Sequence, residues 1–173
     1  MKNNMNWNFD NSYSRLSNAF KEHTDPVAVK KPELILLNED LAEELNLDFT
    51  KINNDELSSL FTGNILPEGS NAIAQAYAGH QFGHFTMLGD GRAVLIGEHL
   101  TNSNKRYDIQ FKGSGKTAFS RNGDGRAALG PMLREYIISE AMHSLNIPST
   151  RSLAVAKTGE EIMRDNLLQG AIL

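Results

Sequence analysis

One lysine and one glutamate carry the clearest chemical signal in this sequence. Lys112 ends a short run, Tyr107–Phe111, in which apolar and polar residues alternate as in a half-buried strand. Glu135 lies 23 residues later, on the same stripe of a predicted helix as Met132, where a carboxylate is costly to bury unless a cation meets it. A strand lysine held by a helix glutamate can bind a polyphosphate. The spacing alone also fits a structural ion pair, or two solvated charges that never meet.

Two glycine-rich turns accompany this pair. The motif Gly-Asp-Gly-Arg-Ala occurs at 89–93 and again at 123–127. Such turns can form backbone nests whose N–H groups, together with the arginines, converge on an anion. The alternative is two unrelated Asp-Gly turns. The run at 113–117, Gly-Ser-Gly-Lys-Thr, is not a P-loop, because Gln110 stands where that motif requires glycine.

Charge and composition favour a small phosphorylated ligand. Lys and Arg number 6 against 12 Asp and Glu in 1–88, 11 against 9 in 89–173, and 7 against 2 within 105–134. A basic excess among glycines suits phosphate, whereas nucleic acid would need a more basic face with stacking aromatics. The sequence has no apolar run of transmembrane length, no signal peptide at its N-terminus and no cysteine. We therefore expect a cytoplasmic protein that binds neither nucleic acid nor membranes.

The elements that position these residues are predicted to form a mixed α+β fold. Strand-like runs over 82–88 and 92–98 predict a hairpin around Gly89-Asp90-Gly91, since Asp-Gly between such runs is a strong hairpin signal. The chain then returns along 107–111. A helix over 130–145 follows and is expected to back this sheet, with one buried stripe that contains Met132, Ile138 and Met142.

The chain is predicted to divide near residue 70. Residues 1–70 form an extension that packs on the lobe made by residues 71–173. Within the extension, helices are expected over 12–20 and 39–45, and a strand over 33–37. At the other end, Ala171–Leu173 reads as the start of a strand, so we expect a chain that is truncated after Leu173.

Five segments resemble the selenoprotein O family in their residues, order and spacing. The resemblance starts near Phe9 and extends to the C-terminus. The segments are Gly79–Gly83, Leu88–Ala93, Phe111–Gly115, Asn122–Ala127 and Arg134–Tyr136.

The resemblance implies a fold and an activity. The family has a protein-kinase-like fold, so this chain would be the N-terminal lobe, a mostly antiparallel sheet with a packed helix that corresponds to the αC helix of kinases. Its members bind ATP in an inverted orientation and transfer AMP to Ser, Thr or Tyr hydroxyls of proteins, releasing pyrophosphate. The implied ligands are therefore ATP, Mg²⁺ or Mn²⁺, and protein substrates.

The resemblance also implies roles for individual residues. Lys112 matches the lysine that meets phosphate, and Glu135 the glutamate that orients it. The first nucleotide-contacting turn is represented by Gly89, Gly91 and Arg92, and the second by Asp124 and Gly125.

The residues that complete the chemistry are expected beyond this chain. The catalytic Asp and the metal ligands of the family would follow Leu173, so we expect this chain by itself to be inactive. Two other functions stay open on the sequence. One is conventional kinase-like transfer of the γ-phosphate, and the other is a non-catalytic ATP-binding scaffold or pseudokinase.

Overall fold

The fold is known from a computed structural model, which describes residues 5–81 and 83–173. Every strand pair in these residues is antiparallel, and helices are few, so the predicted α+β class with mostly antiparallel sheet is confirmed. The strands are β1 (Lys21–His23), β2 (Glu33–Leu37), β3 (Ile73–Gln81), β4 (His84–Gly89), β5 (Ala93–Leu100), β6 (Arg106–Lys112), β7 (Ala127–Ala128), β8 (Ala154–Met163) and β9 (Leu167–Ile172). The helices are α1 (Glu39–Glu44), α2 (Asn54–Phe61) and α3 (Leu129–Ser144).

The first sheet has the order β1-β3-β5-β6, and β4 also pairs with β3. Gly89 at the end of β4 lies opposite Ala76, and Leu95 in β5 lies opposite Ile73. Between these two pairs β3 covers three residues, from Ala76 to Ile73. The chain opposite it covers six, from Gly89 to Leu95. Consequently β4 and β5 form one arm of a long hairpin, and the residues between them bulge out of the ladder.

The predicted hairpin around Gly89-Asp90-Gly91 is therefore wrong. Asp90 donates its N–H to the Gln75 carbonyl, and its carboxylate accepts the Gln75 N–H, so this segment stays alongside β3 and the chain does not reverse. The chain reverses instead between β3 and β4. Phe82, the first residue of the predicted 82–88 strand, lies outside the described residues.

The second sheet has the order β2-β8-β9-β7, and α3 packs on β7, β8 and β9. Met132 is 1% exposed and packs with Val155 and Ala171. The helix predicted over 130–145 is confirmed, but it backs this sheet and not the 82–111 strands, because its buried contacts are to β8 and β9. The predicted buried stripe is wrong at Ile138, which is 55% exposed.

The C-terminal residues complete the second sheet and join it to the first. Gly170 and Ala171 of β9 pair with Ala128 and Ala127 of β7. Ala171 lies near the end of β9, so the prediction that a strand starts there is wrong. Leu173 exchanges two backbone hydrogen bonds with Lys112, of 2.8 and 3.1 Å. The end of β6 is thereby fixed next to the second sheet.

Residues before 71 contribute to both sheets, β1 to the first and β2 to the second. The strand over 33–37 and the helix capped by Asn38 are confirmed. The helix predicted over 12–20 is wrong: only a 3-10 turn at Tyr13–Arg15 forms, because Glu98 accepts hydrogen bonds from Ser12 Oγ and the Tyr13 N–H and holds the chain against β5. The division near residue 70 stays a prediction.

Three apolar clusters form the core of the described residues. One lies between α1, α2 and β8, one joins the first sheet to Ile172, and one lies under α3. Within 5–81 and 83–173, every helix is too short or too polar to cross a membrane.

Candidate functional site

Lys112 and Glu135 are in direct contact. The Lys112 Nζ lies 2.6 Å from both carboxylate oxygens of Glu135, and the two side chains are 31% and 34% exposed. β6 delivers the lysine and α3 the glutamate, so the pair links the first sheet to the helix that packs on the second. Because both groups remain partly open to solvent, the lysine can leave the carboxylate for a more strongly charged partner without a large desolvation cost.

A cleft of about 780 Å³ lies between the two copies of the Gly-Asp-Gly-Arg motif. Its wall contains all the predicted turn residues, Gly89, Gly91, Arg92, Asp124 and Gly125. The structure thus brings together two segments that are 34 residues apart in the sequence. The remaining lining residues are Tyr77, Leu88, Asn122, Gly123, Arg126, Met163 and Arg164.

Among the described residues, Lys112 and Glu135 do not line this cleft themselves. They lie beside it, because Gly113 donates its N–H to the Arg92 carbonyl at 2.7 Å and Lys112 is the β6 partner of Ala93. The lysine and the first turn are therefore fixed to each other by the backbone.

The first turn is the bulge between β4 and β5, and the loop after β6 holds it from outside. Thr117 Oγ1 donates to the Asp90 carbonyl and Ser120 Oγ donates to the Gly91 carbonyl, each at 2.5 Å. The ring of Phe119 occupies the space that a Cβ at Gly89 would need. Any larger residue at 89 would push this ring and the loop away from the bulge.

The second turn is held by different contacts. Gly125 has a φ of +68°, and a Cβ there would collide with the backbone of Gly115. Asp124 accepts the Arg126 N–H at 2.9 Å, and the Arg164 guanidinium binds both Asp124 oxygens, at 2.7 and 3.0 Å. This turn therefore depends on a glycine conformation and on an arginine from the β8–β9 connection.

The interpretation of the turns as backbone nests is not supported at three of their N–H groups. The N–H groups of Asp90, Gly123 and Arg126 already donate within the protein, to the Gln75 carbonyl, the Ser120 carbonyl and the Asp124 carboxylate respectively. These three donors are not directed at a ligand. Anion binding at the cleft would rest on side chains and on the close approach that glycines allow.

The two arginines of the repeated motif differ in their accessibility. Arg92 is exposed at the cleft. The Arg126 side chain is 16% exposed and lies 3.4 Å from the Glu160 carboxylate. Arg92 can therefore approach a ligand freely, whereas Arg126 is already packed into the wall.

The two aspartates of the motif have opposite electrostatic environments. Burial raises the pKa of Asp90 above the usual carboxyl range, and the hydrogen bond from the Gln75 N–H offsets part of the effect. The Arg164 hydrogen bonds lower the pKa of Asp124, although partial burial opposes them. Asp124 is therefore the more readily ionised of the two aspartates of the motif.

Sequence reasoning missed the residues that fasten the site. Thr117, Phe119 and Ser120 lie in the loop after β6, and Arg164 lies in the connection between β8 and β9. Ser and Thr beside glycine turns are a usable signal, because their hydroxyls often bond nearby backbone carbonyls. No local signal connects Arg164 to Asp124, which is 40 residues away in the sequence.

Comparison with known proteins places the chain in a family. The family model described as "Protein adenylyltransferase SelO" matches residues 3–172. A protein nucleotidyltransferase YdiU from Pelagibacter ubique is 74% identical over 167 residues, which are 96% of this chain and 35% of that protein. The YdiU proteins of Nitrosococcus oceani and Anoxybacillus flavithermus are 65% and 62% identical, covering 96% and 98% of this chain and 34% and 35% of their own lengths.

The chain spans about a third of the length of the curated relatives it matches. The family model covers nearly all of this chain, and the matched range includes the Lys112–Glu135 pair and both glycine turns. The resemblance that the sequence motifs indicated is thus confirmed: the chain belongs to the SelO family of protein adenylyltransferases.

Proposed function

We propose that the protein transfers AMP from ATP to Ser, Thr or Tyr hydroxyls of other proteins, and that this chain is its ATP-binding lobe. The contact between Lys112 and Glu135 carries the proposal, because it places a movable cation beside a cleft lined by two glycine turns. The antiparallel strands followed by a helix that supplies the glutamate support a likeness to the N-terminal lobe of protein kinases.

The charges at the cleft suit a triphosphate. Lys112 provides a point charge that a phosphate oxygen can share with Glu135, and the exposed guanidinium of Arg92 can bind two phosphate oxygens side by side. Gly89, Gly91 and Gly125 line the cleft with backbone alone, because the space beside their missing Cβ atoms is taken by Phe119 and by the Gly115 backbone. Together these residues would hold the phosphates and offset the charge that develops on them.

The proposed reaction is a substitution at the α-phosphorus. The substrate hydroxyl oxygen forms a bond to this phosphorus, the bond from the α-phosphorus to the α–β bridging oxygen breaks, and pyrophosphate leaves with the electron pair. The hydroxyl proton passes to a base, a role that we assign to no residue of this chain. The contribution of Lys112 and Arg92 is to position the triphosphate and neutralise its charge.

The divalent metal that the family resemblance implies is not accommodated by the residues at hand. In the part of the chain that the structure describes, no three His, Asp or Glu side chains come close enough together to hold a metal ion.

Label transfer tests the proposal. The full-length protein is incubated with protein substrates and ATP labelled at either the α- or the γ-phosphate, and we expect only the α-label to become protein-bound. Lys112→Ala should lower the transfer rate about a hundredfold, because a charge that stabilises the transition state is lost. Lys157→Ala is the matched control: Lys157 is also a strand lysine paired with a glutamate, Glu33, at 2.8 Å, but its strand β8 pairs with β2 and β9 and not with the residues next to the first glycine turn.

Two outcomes would replace the proposal. Transfer of the γ-label alone would assign conventional kinase chemistry to the same site. ATP binding that Lys112→Ala abolishes, without transfer of either label, would leave a non-catalytic ATP-binding scaffold.

A further inference from the structure

Arg164 makes four side-chain hydrogen bonds in the wall of the cleft. It follows β8, in the connection to β9, and its Nη1 and Nη2 bind the two carboxylate oxygens of Asp124. Nη1 also donates to the Met163 carbonyl at 2.6 Å, and Nη2 to the Arg126 carbonyl at 3.0 Å. One guanidinium thus binds both the carboxylate and the backbone of the second glycine turn.

The donors of Arg164 are nearly all in use. A guanidinium has five N–H groups, of which four belong to the two terminal nitrogens. The four hydrogen bonds to Asp124, Met163 and Arg126 use these four, so only the Nε–H stays available. A ligand phosphate could not take the terminal nitrogens of Arg164 without breaking the second turn apart. Arg164 therefore acts on a ligand through Asp124.

The acceptors of Asp124 are limited in the same way. An ionised carboxylate has about four lone-pair positions. Oδ1 accepts from both Arg164 and the Arg126 N–H, and Oδ2 accepts from Arg164, which leaves one position on Oδ2. A phosphate would be repelled by this carboxylate. The group that meets Asp124 must be a hydrogen-bond donor, such as a ribose hydroxyl or the adenine amino group, or a cation.

We propose that Arg164 is a positioning residue of the nucleotide site: it holds the Asp124 carboxylate and the second glycine turn in the orientation that receives the donor group of the nucleotide. This inference rests on the proposed ATP-binding function. It adds a residue from the β8–β9 connection to a site whose other charged groups come from the bulge between β4 and β5, from β6, from α3 and from the loop before β7. It also explains why the Asp124 pKa is held low, since the same bonds to Arg164 that orient the carboxylate favour its ionised form.

A double-mutant cycle on ATP affinity tests the inference. The dissociation constant of ATP is measured by calorimetry for the full-length wild type, Arg164→Gln, Asp124→Asn and the double variant. We expect each single substitution to weaken binding about tenfold and the double variant to bind about as weakly as either single one, because Arg164 acts through Asp124. Arg164→Lys should restore part of the affinity, since it keeps the charge and one of the two bonds.

Arg151→Gln is the matched control for loss of stability. Arg151 also makes bonds to both oxygens of a carboxylate, that of Glu140, but lies outside the cleft lining. Its substitution should lower the melting temperature and leave ATP affinity unchanged.

The results separate this inference from the proposed function. If Lys112→Ala abolishes ATP binding while Arg164→Gln binds like the wild type, the inference is wrong and the function stands. The inference is equally overturned if the losses from Arg164→Gln and Asp124→Asn multiply, since the two residues then act independently. If the wild type binds no ATP, or binds it as well without Lys112, the proposed function fails and the inference falls with it.

Discussion

The two Gly-Asp-Gly-Arg-Ala segments are identical in sequence and different in structure. The first, at 89–93, is a bulge inside a hairpin arm, where Asp90 is 8% exposed and bonds the backbone of Gln75. The second, at 123–127, is a loop that leads into β7, where Asp124 is exposed and ion-paired with Arg164. Both copies nevertheless line one cleft.

The difference shows that the surroundings of the motif determine its conformation. The first copy is held by Thr117 and Ser120, which bind its carbonyl oxygens. The second copy is held by Gly125, whose positive φ excludes other residues, and by Arg164. The first copy therefore presents its backbone and an exposed arginine to the cleft, and the second presents its carboxylate.

The largest expected effect is the loss of stability when the second glycine of a copy is replaced by alanine, and it should differ between the two copies. Gly125→Ala should lower the free energy of unfolding by about 3 kcal/mol, because alanine disfavours positive φ and its Cβ would meet the Gly115 backbone. Gly91→Ala should cost less, since its Cβ would be 3.0 Å from the Phe119 carbonyl and its φ is not positive. Equilibrium urea unfolding measures both.

Gly130→Ala serves as the control for these glycine substitutions. Gly130 lies in α3, and its Cβ would only approach the Arg134 side chain, at 3.6 Å. Alanine should stabilise here by up to about 1 kcal/mol. Equal costs at Gly91 and Gly125 would contradict the proposed difference between the copies.

A smaller effect is expected from the contact that fastens the first copy. Thr117→Val keeps the shape of the side chain but removes the bond to the Asp90 carbonyl and the acceptor for the Phe119 N–H. The free energy of unfolding should fall by about 1–3 kcal/mol, the cost of a buried group without its partner. Thr50→Val, which removes an exposed bond to Asp48, should change it by less than about 0.5 kcal/mol. The same small change at Thr117 would mean that the loop does not hold the bulge.

The smallest expected effect is the pH dependence of stability that each aspartate contributes, and it has opposite signs in the two copies. The pKa of Asp90 is raised, so its neutral form favours the folded state and stability is lost as pH rises through the folded-state pKa. The pKa of Asp124 is lowered, so its contribution is present above the usual value of 3.8 and is lost as pH falls through the folded-state pKa. The Asp124 contribution is at most about 1 kcal/mol, because its ion pair is half-exposed.

Unfolding of Asp90→Asn and Asp124→Asn between about pH 3 and pH 6 checks these signs. Relative to wild type, Asp90→Asn should become more stable as pH rises, and Asp124→Asn less stable. Parallel curves for the two variants would show that their environments are alike.

The sequence predicts the Lys112–Glu135 contact because both residues lie on elements with clear periodicity. Alternation ends at Lys112, and the helical period of α3 places Glu135 beside buried Met132. The pairing of strands could not be predicted as well. Asp-Gly between two strand-like runs fits a hairpin turn and a bulge equally, and the decision depends on Gln75, fifteen residues away.

The arrangement around the second copy was also beyond local sequence patterns. The bonds that distinguish the two copies come from Thr117, 27 residues after Asp90, and from Arg164, 40 residues after Asp124. A pattern of five identical residues contains none of this information. Tertiary contacts decide which aspartate is buried and which arginine is free.

The central claim is that both glycine turns and Lys112 bind one nucleotide. A crystal structure of the full-length protein with a non-hydrolysable ATP analogue tests it most directly. We predict that the triphosphate contacts Lys112 and Arg92 and that a donor group of the nucleotide meets Asp124. An analogue bound away from the cleft, or touching only one of the two turns, would contradict the account.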